Sequence, residues 1–448
     1  MEKVNLRAFN LDENVIERYI NPNDFNLPAG YKIEVIAQGL DLPISMVFKN
    51  DDLIIAESGM VSGNPRVIRL RNDQFEVLAE YFNSQITGIN YIEDNIYVSH
   101  KDAISSIMPD CTIRYIITGL PCNGDFGISN VAYGRLDRKI YFGLGTATNS
   151  GVVGPDNTWL AYYPTFHDYT GSFITLNGQN FSANNVFAPT NEITYTGAYS
   201  PYGIPNMPYE ARKGVIKASG SILKANLDGT QLELVAWGFR HIPALKFDHN
   251  DNLCATNQGY NIRGSRPIAN AQDEFHYITP GIWYGWPDYV GDEPITQKRF
   301  QPEGATQPTF LFTNPPNIPP KPFAIFAASS TVMGFAINYN VEFGPVGDIY
   351  VAELGNMWSR SPRDNTPYIG TGHKISKIDA TSGEVTTFVI NKSGFPYVLS
   401  GEGAFGRPID VVFGPDGAMY VLDIGISIKD QFNIFIPHTG VIWKITRE

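Results

Sequence analysis

A short hairpin pattern recurs six times along the chain and constrains the fold more than any other feature. It is clearest where the apolar run 411–413 is followed by Pro415-Asp416-Gly417 and then by a second apolar run that ends at Asp423. Proline presets φ in such a turn and glycine accepts positive φ, so the pattern predicts two antiparallel strands. The other copies lie at 46–57, 89–98, 131–142, 245–255 and 341–351. Six hairpins that cannot each bury both faces predict an all-β, six-bladed β-propeller.

Two long insertions interrupt the repeats, at about 145–215 and 263–328. Long segments without regular structure are uncommon inside a compact domain unless they act as lids or binding loops, so we expect both on one face of the propeller. The alternative is that they cover blade edges or form a subunit contact. The predicted domains are an N-terminal arm at 1–26 and one propeller domain at 27–448, in which the strands at 31–36 and 440–445 close the ring by sharing a blade.

The composition excludes several classes of partner. A net charge of −12 argues against nucleic acid and against an anionic membrane surface. No apolar run is long enough to span a bilayer, and the first residues lack the apolar core of a secretory signal. The default expectation is therefore a cytoplasmic protein, or an exported one if a leader has been removed. Cys111, Cys122 and Cys254 show no metal-ligand spacing, and a Cys111–Cys122 disulfide stays open.

The hairpin repeat also predicts where a functional site lies. If the turns lie at one end of each blade, the residues just before the first strand and just after the second meet at the other end. Polar residues at those positions are Glu57, Asp125, Arg240, His241, Asn257, Gln258, Glu353, Arg407 and Asp423.

Four motifs together resemble one protein family. They are Ala236-Trp237-Gly238-Phe239-Arg240, the stretch 263–271 with Asp273-Glu274, Trp283-Tyr284-Gly285-Trp286-Pro287, and Gly406-Arg407-Pro408-Ile409-Asp410 before the last hairpin. In these the chain resembles the glucose/sorbosone dehydrogenase-type propellers, relatives of the soluble quinoprotein sugar dehydrogenases, from residue 27 to the C-terminus.

The resemblance implies a cofactor site over the central channel. Catalytic members bind pyrroloquinoline quinone (PQQ) beside Ca²⁺, with cationic side chains on the cofactor's anionic groups and a His as base. Carried over, it implies cofactor contacts from Arg240, Gln258, Arg360, Lys374 and Arg407. It also implies calcium contacts from the carbonyls of the turn at Gly259 and Tyr260.

The chain departs from the family pattern at the base. Where the family has Asp-His followed by Gly-Arg, this chain has Asp125-Phe126 followed by Ser129-Asn130, so Phe126 replaces the catalytic His. His241 stands where the family has Asn, and Ile409 replaces a second late Arg. His241 is therefore either a displaced general base or a structural His bonded to a neighbouring loop.

Three functions follow from these residues. The first is a quinoprotein-type oxidoreductase that oxidises a sugar or polyol with PQQ and calcium. The second is a non-catalytic relative that binds carbohydrate or a protein partner. The third is a calcium-dependent lactonase or hydrolase, which needs several channel carboxylates, and only Glu57, Glu353 and Asp423 are well placed for that role. The aromatic residues of the third motif would either stack on a sugar or pack a turn; they are Trp283, Tyr284 and Trp286. Asp273 and Glu274 would either bind a structural Ca²⁺ or lie on the surface. Whether the chain forms a homo-oligomer is left open.

Overall fold

The computed structural model describes residues 17–190, 192–356, 371–428 and 431–448. This part of the chain is nearly all-β, and most of its strands form six antiparallel sheets, five with four strands and one with five. The helical structure of the described residues is limited to the turns Pro22–Asp24, Thr158–Ala161 and Lys298–Phe300 and the α-helix Tyr397–Ser400. Within the described residues, no helix has the length and apolar character that crossing a membrane requires.

The six sheets follow one another along the chain. The first has Pro43–Lys49, Asp52–Glu57, Arg66–Arg71 and Gln74–Glu80; the second has Ile86–Ile92, Asn95–His100, Ala103–Ile107 and Ile113–Ile117. The third has Ala132–Gly134, Lys139–Leu144, Ser221–Asn226 and Glu233–Trp237; the fourth has Leu245–Phe247, Leu253–Asn257, Gln272–Tyr277 and Ala324–Ala328. The fifth has Val332–Ile337, Ile349–Glu353, Lys374–Ile378 and Val385–Asn391, and the sixth has Pro408–Phe413, Met419–Asp423, Gly440–Arg447 and Tyr31–Leu40.

These sheets are the six blades of a β-propeller, and the predicted fold class is confirmed. Five of the six predicted hairpins have both strands where the pattern placed them. The fifth prediction was wrong in its first strand, which is Val332–Ile337 and not 341–343. The amide of Asn338 donates to the carbonyls of Asn340, Gly344 and Pro345 and so fixes a turn there. Phe343 lies in that turn and is buried, so the sequence around it has the apolar pattern that is typical of a strand.

The sixth sheet joins both ends of the propeller sequence. Tyr31–Leu40 pairs with Gly440–Arg447 in an antiparallel register that sets Tyr31 opposite Arg447 and Ile33 opposite Ile445. The shared blade is therefore confirmed. Phe25–Asn26 extends the fifth sheet beside Val385–Asn391. The domain boundary at residue 26 stays a prediction.

The chain divides into two compact units, and the first consists of Met1–His100, Ser105–Tyr115 and Ser330–Glu448. Its interior is built from alternating apolar residues of the blades, with aromatic rings at the centre. Phe343 packs edge-on against Tyr350 and Phe413, with ring centroids 5.6 and 5.0 Å apart. Arg18 is buried here and forms an ion pair of 2.7 Å with Asp423, so the arm segment is anchored within this unit.

The second unit consists of Lys101–Ile104 and Ile116–Ser329, and it contains the third and fourth sheets with both insertions. The insertions have regular structure of their own. The pairs are Ile174–Thr175 with Ala211–Arg212, Asn180–Asn184 with Ile193–Gly197, and Tyr289–Val290 with Glu293–Pro294. A further small pair in the first unit is Ser427–Ile428 with Gln431–Phe435. Cys111, Cys122 and Cys254 are free thiols.

Candidate functional site

The ends of the third and fourth sheets bring several predicted residues together in the second unit. Arg240 and His241 precede the strand Leu245–Phe247, and Gln258 follows the strand Leu253–Asn257. These two strands are antiparallel, so the residues before one and after the other lie side by side. The Gln258 backbone N–H donates to the His241 carbonyl at 2.9 Å, and the Arg240 N–H donates to the Asn257 side chain at 3.1 Å.

Arg240 is a buried cation without a matching anion. Its side chain is 3% exposed. Its guanidinium carbon lies 4.3 Å from the centre of the Phe126 ring, and its Nε donates to Asn149 at 3.1 Å. Among the described residues no carboxylate pairs with it, and its Nη2 has no hydrogen-bond partner. Burial, followed by the charge of Arg263, lowers the pKa of Arg240 to about 9, so the group stays protonated at neutral pH and can accept an anionic ligand.

The His241 ring stacks on the Phe126 ring. The two rings lie 4.8 Å apart at an interplanar angle of 25°. The Nδ1 atom of His241 lies 2.9 Å from the Gln258 Oε1 atom, which can only accept, so Nδ1 carries the proton and Nε2 holds the free lone pair. Burial lowers the pKa of His241 to about 4, and the hydrogen bond that His241 donates to Gln258 opposes this shift. His241 is therefore neutral at pH 7, in the tautomer that a general base requires.

Asn149 joins these groups to the next loop, and sequence reasoning missed it. Its Oδ1 accepts from the Arg240 Nε and from the Asn261 N–H at 2.9 Å, while its Nδ2 donates to the carbonyls of Asn261 and Arg263. Asn149 follows the strand Lys139–Leu144. The rule that selected Asn257 and Gln258, a polar residue soon after the second strand of a hairpin, would have found it.

The turn after Asn257 carries the two predicted calcium contacts. Gly259 donates to Asp273 at 2.8 Å, and the Tyr260 hydroxyl donates to the Tyr289 carbonyl at 2.9 Å. In the described residues, neither the Gly259 nor the Tyr260 carbonyl accepts a hydrogen bond. Both residues line a small cavity with Arg240 and Glu274, with room for about one water-sized group. Carbonyl oxygen is a ligand type that Ca²⁺ prefers.

Asp273 and Glu274 are buried and not on the surface, at 2% and 3% exposure. Glu274 accepts from the Asn257 amide and from His276 Nε2, both at 2.9 Å. Asn257 also accepts from the Arg240 backbone N–H, so this series of hydrogen bonds connects the buried Glu274 to Arg240 and helps to fix its position. Among the described residues, no group of three or more His, Cys, Asp or Glu side chains is arranged to hold a metal. A bound cation would therefore rest on carbonyl oxygens.

Arg263 bridges two carboxylates that join the insertions to the third sheet. It donates to Asp125 and, at 2.6 Å, to Asp156. Asp125 also accepts from the Asn157 amide and the Trp159 indole, at 3.0 and 2.9 Å. Asp125, which the hairpin repeat places at the same end of the blades as Arg240, therefore has its carboxylate engaged by these three side chains.

The Trp-Tyr-Gly-Trp-Pro motif packs a turn. Trp283 and Trp286 are 0% and 2% exposed, and the Trp283 indole donates to the Trp286 carbonyl at 2.8 Å. Both rings belong to the core of the second unit. Of the two readings of the motif, this burial favours packing of a turn over stacking on a sugar.

Two further predicted cofactor contacts, Arg407 and Lys374, lie in the first unit. Arg407 is 1% exposed and donates to the carbonyls of Leu354, Gly355 and Asn356. Lys374 lies 3.8 Å from Glu353 and donates to Thr387 at 3.1 Å. Burial lowers the pKa of Arg407 to about 9. Arg360 lies outside the described residues. That Arg407 and Lys374 face the same ligand as Arg240 stays a prediction.

The carboxylates that a hydrolase would need are engaged within the first unit. Glu57 accepts from Arg66 and from the Asp41 N–H, and Glu353 accepts from Ser376. Asp423 accepts from Arg18 and from three backbone N–H groups, those of Gly406, Arg407 and Gly425. Burial raises the pKa of Glu57 and of Glu353. These contacts give the lactonase alternative no support.

Comparisons with known proteins bear on the fold. No family model and no curated protein matches the chain. Among solved structures, the PQQ domain of a pyranose dehydrogenase from Coprinopsis cinerea in its holo form matches with a TM-score of 0.59 and 15% identity, over 96% of this chain and 98% of that one. A PQQ-bound aldose sugar dehydrogenase from Streptomyces coelicolor matches with a TM-score of 0.51 and 15% identity, over 94% and 100%.

A calcium structure of a Trichoderma reesei carbohydrate-active enzyme of family AA12 matches with a TM-score of 0.54 and 13% identity, over 97% of this chain and 100% of that one. Identities this low show a shared fold. The motif resemblance is therefore confirmed at the level of the fold: the chain is a six-bladed β-propeller similar in fold to these solved sugar dehydrogenases.

Proposed function

We propose that this protein is a quinoprotein-type oxidoreductase that oxidises a sugar or polyol, with PQQ bound against Arg240. The observation that carries the proposal is the buried, unpaired Arg240 guanidinium with its unpartnered Nη2. Leaving a charge buried without a counterion costs several kcal/mol, so an anionic ligand at this position would recover that free energy. PQQ carries carboxylates, and two solved neighbours of this fold are a PQQ-bound aldose sugar dehydrogenase and the holo form of a pyranose dehydrogenase PQQ domain.

The residues present fit such a ligand. Arg240 would bind an anionic oxygen through Nη2, and Asn149 holds its Nε so that the guanidinium cannot turn away. The carbonyls of Gly259 and Tyr260 would hold Ca²⁺ beside it. When bound, PQQ supplies the two-electron acceptor for alcohol oxidation. Lys374, Arg407 and Arg360 are proposed as further cofactor contacts on the resemblance alone.

His241 is proposed as the base that takes the proton of the substrate hydroxyl. Its Nε2 atom holds the free lone pair because Nδ1 is committed to Gln258. A pKa of about 4 makes it a weaker base than the near-neutral optimum, so proton abstraction is expected to be slow compared with an ideally tuned site.

A second function is favoured by one observation: Phe126 fills the space between Arg240 and His241, contacting both. A hydrophobic ring at the position of the family base suits a relative that binds PQQ or a sugar without turnover.

One experiment separates the two functions. The purified protein is titrated with PQQ in the presence and absence of Ca²⁺, and sugar-dependent dye reduction is then measured over a panel of aldoses and polyols. Saturable, calcium-dependent binding with turnover supports the oxidoreductase. Binding without turnover on any sugar supports the non-catalytic relative, and the absence of saturable binding contradicts both PQQ readings.

A further inference from the structure

The first insertion concentrates exposed apolar side chains in the second unit. Of 28 exposed large hydrophobic residues in the described part of the chain, ten lie within residues 173–216. Among them are Ile193 at 56%, Tyr195 at 55%, Phe187 at 55%, Met207 at 71% and Tyr209 at 76% exposure. Single exposed apolar residues are ordinary, whereas a contiguous exposed apolar patch marks an interaction surface.

The hairpin Asn180–Asn184 with Ile193–Gly197 presents one face of this segment to solvent. Ile193 and Tyr195 lie on the same side of their strand, opposite Asn184 and Ser182, and all four are exposed. On the other side, Phe181 packs against the core of the second unit. In the described residues the hairpin forms a two-stranded sheet with no third strand on either edge. We call Val186, Phe187, Ile193, Tyr195 and Ile204 the hairpin surface.

The neighbouring loop continues the hairpin surface at its base. The Gly197 N–H donates to the Ile204 carbonyl at 2.9 Å, and the Asn206 N–H donates to the Asn180 side chain at 2.7 Å. Met207, which is 71% exposed, follows directly. The ring of Phe187 lies edge-on to Tyr202, with centroids 5.9 Å apart, which holds the hairpin tip in place. The surface is therefore ordered by its own contacts.

The charge of this segment differs from that of the whole chain. Residues 173–216 contain two acids, Glu192 and Glu210, and two bases, Arg212 and Lys213, so their net charge is zero in a chain of net charge −12. Two copies of so acidic a protein repel one another, and contact through a surface of zero net charge adds least to that repulsion. Charged residues usually protect exposed edge strands from pairing with other chains. Between residues 180 and 197, however, Glu192 is the only charged residue of the hairpin.

We infer that the hairpin surface, with Met207 and Tyr209, binds a second copy of this chain. Side chains of this size leave on the order of 100 Å² each exposed, so seven of them offer about 700 Å² per copy, close to the roughly 800 Å² per partner of a standard interface. One surface that pairs with itself gives a closed dimer about a two-fold axis. The inference does not depend on the proposed function.

The test is the mass of the full chain in solution, measured by sedimentation velocity and light scattering over a range of concentrations. A single chain has a mass of 49.7 kDa, and we expect the wild-type protein at twice that value. Ile193→Lys and Tyr195→Lys place charge on the surface and should each shift the protein to 49.7 kDa with an unchanged circular dichroism spectrum.

The matched control is Leu136→Lys, since Leu136 is 84% exposed and lies in a turn of the third sheet. This variant should remain a dimer. A wild-type protein at 49.7 kDa at every concentration would overturn the inference, as would dimers unaffected by both hairpin variants. A monomer that co-sediments with an insoluble glucan would also overturn it and would make the surface a carbohydrate platform.

Discussion

At the scale of single residues, the second unit keeps an arginine where its charge is costly. Arg240 is buried with Phe126 across its face, yet its pKa of about 9 leaves it protonated at pH 7. Its neighbour His241 is held neutral by burial. A permanent cation beside a neutral imidazole is an arrangement suited to binding an anion and accepting a proton. Phe126 contacts both side chains, and the proposed non-catalytic alternative rests on that contact.

The role of His241 is tested by His241→Asn, which restores the residue of the resembled family and removes the base. If His241 takes the hydroxyl proton, sugar-dependent turnover should fall by about 100-fold or more, because general bases contribute factors of about 10² to 10⁴. PQQ affinity should change by only a few-fold. The double variant Phe126→His/His241→Asn moves the imidazole to the position of the family base and should recover turnover, whereas Phe126→Leu/His241→Asn should not. Full activity in His241→Asn would rule His241 out as the base.

At the scale of elements, the loop that carries Asn149 depends on a buried carboxyl. Asp168 is 1% exposed and accepts from the Ala147 N–H and the Thr148 hydroxyl, both at 2.6 Å. Thr148 in turn accepts from the Gly151 N–H. Burial raises the pKa of Asp168 to about 7, against the opposing hydrogen bonds. The loop that positions Arg240 therefore contains a group that titrates near neutral pH.

This carboxyl should make stability depend on pH with an unusual sign. The folded chain keeps the Asp168 proton up to about pH 7, whereas the unfolded chain releases it near 3.8. Unfolding therefore releases a proton between these values, and the free energy of unfolding should fall as pH rises through the window, by up to about 4 kcal/mol.

Asp168→Asn mimics the protonated carboxyl and should remove this contribution. Denaturant unfolding at several pH values between 4 and 8 would show a flatter pH dependence than in the wild-type protein. The exposed Asp292 supplies the control, since Asp292→Asn should leave the pH dependence unchanged. Identical slopes for wild type and Asp168→Asn would contradict the assignment.

The Trp-Tyr-Gly-Trp-Pro turn is an element whose role is packing. Trp283 lies among Trp237, Tyr289 and Phe312, with ring centroids 6.1, 5.7 and 5.7 Å away. Trp283→Ala should lower the free energy of unfolding by about 3–5 kcal/mol, because it removes a large buried side chain. Tyr162→Ala, at a residue that is 81% exposed, should cost far less in the same denaturant experiment. A Trp283→Ala protein of wild-type stability would show that the ring is not part of the core.

At the scale of the whole molecule, the repeated hairpins were enough to predict six blades and the blade that the two ends of the propeller sequence share. They also predicted that Arg240, His241 and Gln258 lie together, because residues flanking paired strands must be neighbours. The wrong or missing predictions lie where hydrogen bonds of single side chains, and not the hydrophobic periodicity, determine the path of the backbone. Asn338 turned the predicted strand at 341–343 into a loop, and the contacts of Asn149 depend on an insertion whose path no repeat specifies.

Thermal unfolding of the wild-type protein and of Arg240→Met, each with and without PQQ, tests most directly the claim that Arg240 binds an anionic ligand. Without ligand, Arg240→Met should unfold at the same temperature as the wild type or higher, since replacing a buried unpaired charge by an apolar side chain is seldom costly. With PQQ and Ca²⁺, the wild type and the exposed control Arg135→Met should gain stability, and Arg240→Met should gain little. An equal PQQ-induced shift in Arg240→Met and wild type, or no shift in either, would contradict the claim.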